Sequence, residues 1–534
     1  MINRGISTPD DARIFLNPRL NDLPQPHLMK GLDEAGARVC RAVMKGEKTG
    51  IVGDYDVDGI TSAALMAVFL RKAGIEPLVR ISRRDSGYGL GIEDIDAFRD
   101  ADCSLILALD MGTHDHEALC HAEELGIDTI VVDHHIPGTD TPPECMVFVN
   151  PHQHGCEFPD KDLVAVGLSF YLAASARRHL EDAGFWKGES PDMREFLDLV
   201  ALGTVADMGR LKGVNRIMVT SGLARMEAGM RTGLKHLWNS ACRGRRSVSS
   251  IDISYRIAPR LNAAGRIEDA RLAYDLLVSD EDEEAVKLTR ELESLTNRRK
   301  MIEKQVLEEA LSRNRFDTSN ICFAAGAEWN RGVIGIVAAR LSDITSLPAF
   351  VLSIDDEGIC VGSARGADRI DVFGLIDSCS DMLERYGGHM NAAGLTVEKD
   401  RLEDLARRLD ESAPGFAVSG KAALELDACL PPEVLHAGLV KDLERIAPFG
   451  AGNPEPAFLF SGLRIEGRKV VASEHLQLSL SGPMGRIRAF APRMKMDDAP
   501  PEGAEIDMAA SISHSDYSPP LNIELLVRDI REKT

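Results

Sequence analysis

Residues 53 to 62 read GDYDVDGITS, with Asp54, Asp56 and Asp58 alternating directly after the apolar pair Ile51-Val52. Side chains two apart on a strand share a face, so three carboxylates converge where a buried strand should end. Like charges at that spacing disfavour ionisation unless a cation or a set of donors compensates them. Hard divalent cations prefer carboxylate oxygens and also accept imidazole. Two readings of this stretch stand side by side: a metal site, or an acidic turn closed by Asp58-Gly59.

The elements around the stretch bear on that choice. Short apolar runs at 49–56, 76–82, 103–110 and 128–135 alternate with helical patterns at 60–74, 92–100 and 115–126. This alternation predicts an α/β domain with a parallel sheet. Ligands of open parallel sheets gather at the carboxyl ends of the strands. Three of the four runs end in acids: Asp54 and Asp56, then Asp110, then Asp133 followed by His134-His135. A helical stretch, FLDLVALGTV, then delivers Asp207. Together these residues can hold two metal ions, a geometry suited to activating water for phosphoryl displacement. Any one of them alone is better explained as a turn, cap or packing residue.

Farther along, a basic segment at 242–266 carries Arg243, Arg245, Arg246, Arg256, Arg260 and Arg266. A long helix is expected over roughly 280 to 313, capped by Ser279, with an apolar stripe broken at Arg299. Such a helix connects lobes. Residues 320 to 420 read as a second α/β domain with three Gly-rich stretches. Short alternating runs after residue 458 suggest a small β-barrel of OB type.

DYDVDG, LALD, VVDHH and GTVAD, in that order, resemble the four motifs of the DHH phosphoesterase superfamily. GVIGIVAARL, GSARG and GGHMNAAG resemble the DHHA1 domain that follows it. With SRRDSGYGLG, RLNAAGR and the OB-like tail, the match narrows to the RecJ family of bacterial single-strand-specific 5′-to-3′ DNA exonucleases. The resemblance implies an N-terminal extension (1–45), a DHH catalytic domain (46–270), a connecting helix (271–314), a DHHA1 domain (315–440) and an OB-like nucleic-acid-binding domain (441–534). It implies Asp54, Asp56, Asp110, His134 and Asp207 as ligands of two Mn2+ or Mg2+ ions, with Asp110 bridging. His135 assists that shell or contacts the scissile phosphate, and Asp58 supports the loop. Arg83, four residues before Gly87, contacts phosphate near the metals. Ser363, Arg365 and His389 hold the nucleic-acid backbone or its 5′ phosphate, with Arg266 nearby. Two positions depart from the family pattern. Val52 stands where some relatives carry a ligating His, and Asn330 follows Trp329 where many read Trp-His.

The implied activity is metal-dependent hydrolysis of single-stranded DNA from the 5′ end to mononucleotides, in repair and recombination. The alternative is an oligonucleotidase or small-nucleotide phosphoesterase on the same two domains. The β-barrel tail and the basic segment favour the polymer. Trp329, Tyr255 and Phe449 are the candidates for base stacking, although each type is more often a core residue.

Composition constrains the rest. With 534 residues there is material for several cores. A net charge of -22 argues against a nonspecific polyanion binder, while leaving room for a groove of local positive charge. The N-terminal residues lack the apolar core of a signal peptide, and no apolar run is long enough to span a membrane. Ten cysteines without a CxxC pair read as reduced thiols of a cytoplasmic protein. The expected partners are single-stranded DNA and, at the acidic surface, a single-strand-binding protein or a helicase. A monomer is expected.

Overall fold

Five strands, β1 (Thr49–Gly53), β2 (Leu78–Ile81), β3 (Leu105–Leu109), β4 (Asp128–Val132) and β5 (Val147–Val149), form a wholly parallel sheet in the order β2-β1-β3-β4-β5. The computed structural model describes residues 1–84, 89–138, 143–245, 247–313, 319–366, 370–416, 424–471, 475–482, 485–514 and 523–533. β1 and β3 are buried at every position because helices cover both faces. On one face Ile51, Leu105, Leu107, Leu109, Ile130 and Val132 pack beneath the helix Val57–Lys72. On the other, Val52, Ile106, Ala108 and Val131 meet Ile95 and Phe98 of one helix and Leu119 of another. The strand order reverses between β1 and β3, so a crevice opens at their carboxyl ends. β5, only three residues long, was not legible in the sequence pattern.

A second sheet joins β6 (Cys322–Ala327), β7 (Ala349–Ile354), β8 (Ile359–Arg365), β9 (Arg385–His389) and β10 (Ala392–Glu398) in the order β6-β7-β8-β10-β9. Only β6 and β7 run parallel, joined through the helix Arg331–Thr345. β9 is an exposed edge strand.

A third sheet contains β11 (Ala428–Cys429), β12 (Phe458–Val471), β13 (His475–Gly482), β14 (Gly485–Ala491), β15 (Glu505–His514) and β16 (Ile523–Glu532). The long β12 pairs with both β13 and β15, which closes a five-stranded barrel. Register irregularities near Leu463 and Gly467 allow that strand to curve. Phe460, Leu463, Leu478, Ala489 and Leu525 fill the interior. The fold is therefore the expected α/β pair of domains with an OB-like barrel.

The helix Asp282–Arg313 bridges the two α/β domains. At ~1.5 Å per residue its length is about 48 Å. Ala285, Leu288, Leu292 and Leu295 belong to the first core, and Val306 and Ala310 to the second. The break in the stripe falls between them. There Glu303, buried, receives Arg299 of its own helix (3.6 Å) and Arg340 of the second domain (2.7 Å). Ser279 does not cap this helix through a backbone amide as expected. Its hydroxyl meets Glu281 O (3.4 Å) and Glu284 Oε2 (3.3 Å). No helix among the described residues is long and apolar enough to cross a membrane.

Candidate metal centre and phosphate-facing lobe

The carboxylates lie in the crevice that the sheet topology opens. Asp54 follows β1 directly, and its Oδ1 accepts a hydrogen bond from Ser82 Oγ at the end of β2 (2.8 Å). Asp56 is the N-cap of the helix Val57–Lys72, where its Oδ1 accepts from the amides of Asp58 (2.8 Å) and Gly59 (3.2 Å). Gly59 is required here, because a Cβ would meet the Asp54 backbone at 2.4 Å. The Asp58 carboxylate is buried and accepts from the amides of Ala165 (2.7 Å) and Val166 (2.9 Å) at the start of the helix Ala165–Asp182.

Asp110 ends β3 in the left-handed region, with φ 65°. Asp tolerates that conformation better than most residues, and it turns the carboxylate out of the sheet direction. The strand β4 then delivers Asp133, His134 and His135. The Asp133 carboxylate binds the His134 amide (2.7 Å), the His135 amide (3.2 Å) and His135 Nδ1 (2.7 Å). This leaves His134 Nε2 3.3 Å from Asp110, 3.7 Å from Asp207 and 4.0 Å from Asp58. Asp207 arrives from the C-cap of the helix Leu197–Ala206.

Three overlapping groups result, each with its ligand atoms within 4.8 Å of one another: Asp54, Asp56 and Asp110; Asp58, His134 and Asp207; Asp110, His134 and His135. Asp110 and His134 each belong to two of them. The electrostatics fit a missing positive charge. Burial, and then the Asp56 charge, push the Asp54 carboxyl up to about 7. Burial, and then the Asp58 charge, push Asp207 up to about 7 and Asp110 well above the usual range. Burial lowers His134 toward the neutral imidazole that ligates metals. Burial also opposes charge on His135, but its hydrogen bond to Asp133 prevails and raises it to about 9. An oxygen-rich, imidazole-containing donor set of this kind suits Mn2+ or Mg2+.

The other residues predicted from the sequence fall around this centre. Arg83 is exposed on the segment after β2. Its neighbour Arg84, unmarked in the sequence reading, sits with its guanidinium 4.2 Å over the Tyr55 ring, where its charge also reaches Asp54. Residues 85 to 88 of the SRRDSGYG stretch, including Gly87, lie outside the described residues, as does Arg246. Arg266 crosses to the second domain, where Nη1 donates to Gly332 O (2.9 Å). Its pKa falls to about 10, through burial and then the charges of Arg84, Arg299 and Arg365. Ser363 and Arg365 share a face of β8, and Arg365 Nη1 donates to Ser363 Oγ (2.8 Å). Gly335 leaves the space they fill, since a Cβ there would lie 3.0 Å from both side chains. His389 is exposed at the end of β9.

Several residues do not serve as a simple reading of charge would suggest. Arg260 is held by Glu293 (2.8 Å), and Arg245 and Arg256 both lean on Asp252, so much of the basic segment is tied internally. Trp329 is buried with Nε1 donating to Glu309 Oε2 (3.0 Å), which withdraws it from base stacking. Val52 packs in the core on the sheet face away from the Val57–Lys72 helix. Asn330 caps the helix Arg331–Thr345, with Oδ1 accepting from the Gly332 amide (2.8 Å). Ser82 and Asn150 were missed by the sequence reading. Asn150, fully buried, donates to His135 O (2.8 Å) and fixes the loop after β4. Ser82 and Arg84 share parity after β2, a signal that alternation could have supplied.

Comparison with known proteins agrees with this layout. The DHH family N-terminal domain matches residues 48–204, the DHHA1 domain 318–413 and the RecJ OB domain 426–529. The single-stranded-DNA-specific exonuclease RecJ of Bacillus subtilis (strain 168) is 34% identical over 540 residues, covering 99% of this chain and 67% of that protein. The Escherichia coli (strain K12) protein of the same name is 32% identical over 525 residues, covering 94% of this chain and 90% of its own length. Among solved structures, RecJ from Thermus thermophilus in complex with Mn2+ superposes with a TM-score of 0.83 at 31% identity, over 100% of this chain and 75% of that one. Matching domains in the same order, with relatives of this identity along nearly the whole chain, show that it belongs to the RecJ family.

Proposed function

We propose that this chain is a metal-dependent exonuclease of single-stranded DNA that removes 5′ mononucleotides. The observation that carries the reading is the pair of shared ligands, Asp110 and His134, at the centre of three overlapping donor groups. Two Mn2+ or Mg2+ ions held by Asp54, Asp56, Asp110, His134 and Asp207 supply Lewis acidity and an activated water when bound. The chain's own residues do the rest. Asp133 orients His135 and favours its protonated form, from which it donates to a phosphate oxygen and does not act as a metal ligand, leaving the ions to the other five residues. Arg84 and Arg83 flank the crevice with positive charge. Across it, Arg266, Ser363, Arg365 and His389 hold the strand's backbone or its terminal phosphate. Arginine's fixed fork suits such contacts. A terminal phosphate held on one side of the metals gives the enzyme its direction. The closed barrel matched by the RecJ OB domain supports a polymeric substrate over a dinucleotide, since such barrels bind single strands.

The reading is tested by incubating end-labelled single-stranded DNA and a dinucleotide separately with the protein and Mn2+. Preferential degradation of the long strand supports it. Rapid turnover of the dinucleotide with an intact long strand overturns it in favour of a small-nucleotide phosphoesterase.

A further inference from the structure

Tyr255 is 79% exposed, although Ile253 and Ile257 on either side are fully buried. It lies in a π-helical turn, Ile253–Ile257, that leads directly into the helix Ala258–Ile267. Single π-turns frequently mark functional sites. From this turn a stripe of incompletely buried residues, Tyr255, Pro259, Asn262 and Arg266, follows one helix face at spacings of four, three and four. Ile257, Leu261 and Ala264 are buried on the opposite side, and Ala258 and Ala263 are buried along the flanks of the stripe. The stripe therefore starts at an exposed aromatic ring and ends at the arginine that faces Arg84 and Arg365.

Two arginines gather near this turn on one buried acid. Asp252, buried, receives Arg245 (3.5 Å) and Arg256 (3.2 Å), yet those two side chains remain 54% and 40% exposed. Ser249 Oγ donates to the same carboxylate (2.7 Å), which fixes it in place. Arg243, two residues before Arg245 in the chain, is exposed as well. The other end of this platform touches the barrel side of the molecule. Ser250 Oγ donates to Phe449 O (2.6 Å) in the segment that precedes β12. An exposed aromatic ring among anchored arginines, between a barrel and a metal centre, has the composition of a single-strand track.

We propose that Tyr255 stacks a base of the DNA strand on its way from the barrel to the metal centre, with Arg243, Arg245 and Arg256 meeting the flanking phosphates. The inference rests on the exonuclease reading. Eleven residues of helix separate Tyr255 from Arg266, about 16 Å. At ~3.4 Å per stacked nucleotide that separation spans about five nucleotides between the base at Tyr255 and a phosphate at Arg266. A dinucleotide does not reach Tyr255.

The test compares the full-length wild type, Tyr255→Ala and Tyr255→Phe with Mn2+ on a long single-stranded oligomer and on a dinucleotide. Loss of one base–aromatic stack predicts that Tyr255→Ala raises KM on the oligomer by roughly 5- to 100-fold. Tyr255→Phe keeps the ring and stays within about two-fold of wild type. Neither variant changes whatever rate the dinucleotide supports. An unchanged oligomer KM in Tyr255→Ala overturns the inference while leaving the exonuclease reading intact. So does an equal loss in Tyr255→Phe. A wild type that leaves the oligomer whole overturns the exonuclease reading itself, and the stacking role with it.

Discussion

At Asp110 one carboxylate serves two ligand groups, so its removal should disable both at once. Asp110→Ala is expected to lower kcat by more than ~100-fold, since even residues that merely orient metal ligands cost 10- to 100-fold. Circular dichroism should still report a folded chain, and near-normal turnover would refute the assignment. The same residues predict a coupling between pH and metal. Asp54 and Asp207 sit near 7 when folded against 3.8 for an unperturbed aspartate, so the metal-free folded chain binds more protons than the unfolded one between those values. Their contribution to stability therefore falls as pH rises from about 4 to about 7, and bound metal restores it. The gain in Tm on replacing chelator with Mn2+ should grow across that window, and a gain that shrinks would contradict the electrostatics. Alternation of Asp54, Asp56 and Asp58 and the Asp-His-His run made the carboxylate set legible in the sequence. Ser82, Arg84 and Asn150 were not legible. Their roles depend on which strands lie side by side, which no local pattern encodes.

Helix starts and domain contacts carry the next set of consequences. Asn330, read from the sequence as a departure bearing on phosphate contact, is a helix cap, so Asn330→Ala should cost about 1 kcal/mol in chemical denaturation. No loss would remove the capping role. Gly332 sits where a Cβ would approach Arg266 O to 2.0 Å, a backbone atom that cannot swing aside. Gly332→Ala should therefore push the two domains apart and destabilise the chain by roughly 1–3 kcal/mol. An unperturbed variant would mean that the Arg266–Gly332 contact is soft. The connecting helix and its break at Arg299 were readable from apolar spacing. What spacing could not reveal is that the break marks the handover between two cores, with Glu303 and Arg340 closing it. The Ser279 cap failed for a local reason. Its hydroxyl has an acceptor in Glu284, and its backbone ends the preceding helix Arg271–Val278.

On the scale of the whole molecule, Arg216 and Leu211 tie the segment that leads into the barrel to the catalytic body, and Arg216 also ties down the N-terminal Phe15. Arg216 donates to Ala447 O (2.6 Å) and to Phe15 O (2.9 Å), and Leu211 N donates to Ala451 O (2.7 Å). Removal of residues 455–534 leaves those contacts in place and deletes five barrel strands. Affinity for long strands should drop by at least about tenfold, as expected when an OB surface is lost, with dinucleotide turnover little changed. Unchanged affinity in a folded truncation would take the barrel out of substrate binding. Net charge gave little guidance here. A chain of -22 places its useful arginines at one seam between domains, and only the fold reveals that seam. The most direct test of the account uses a single-stranded DNA oligomer with distinct labels at its two ends, incubated with Mn2+ or with chelator. The account predicts early release of the 5′ label as mononucleotide, with Mn2+ alone. Release from the 3′ end first, or equal release in chelator, would contradict it.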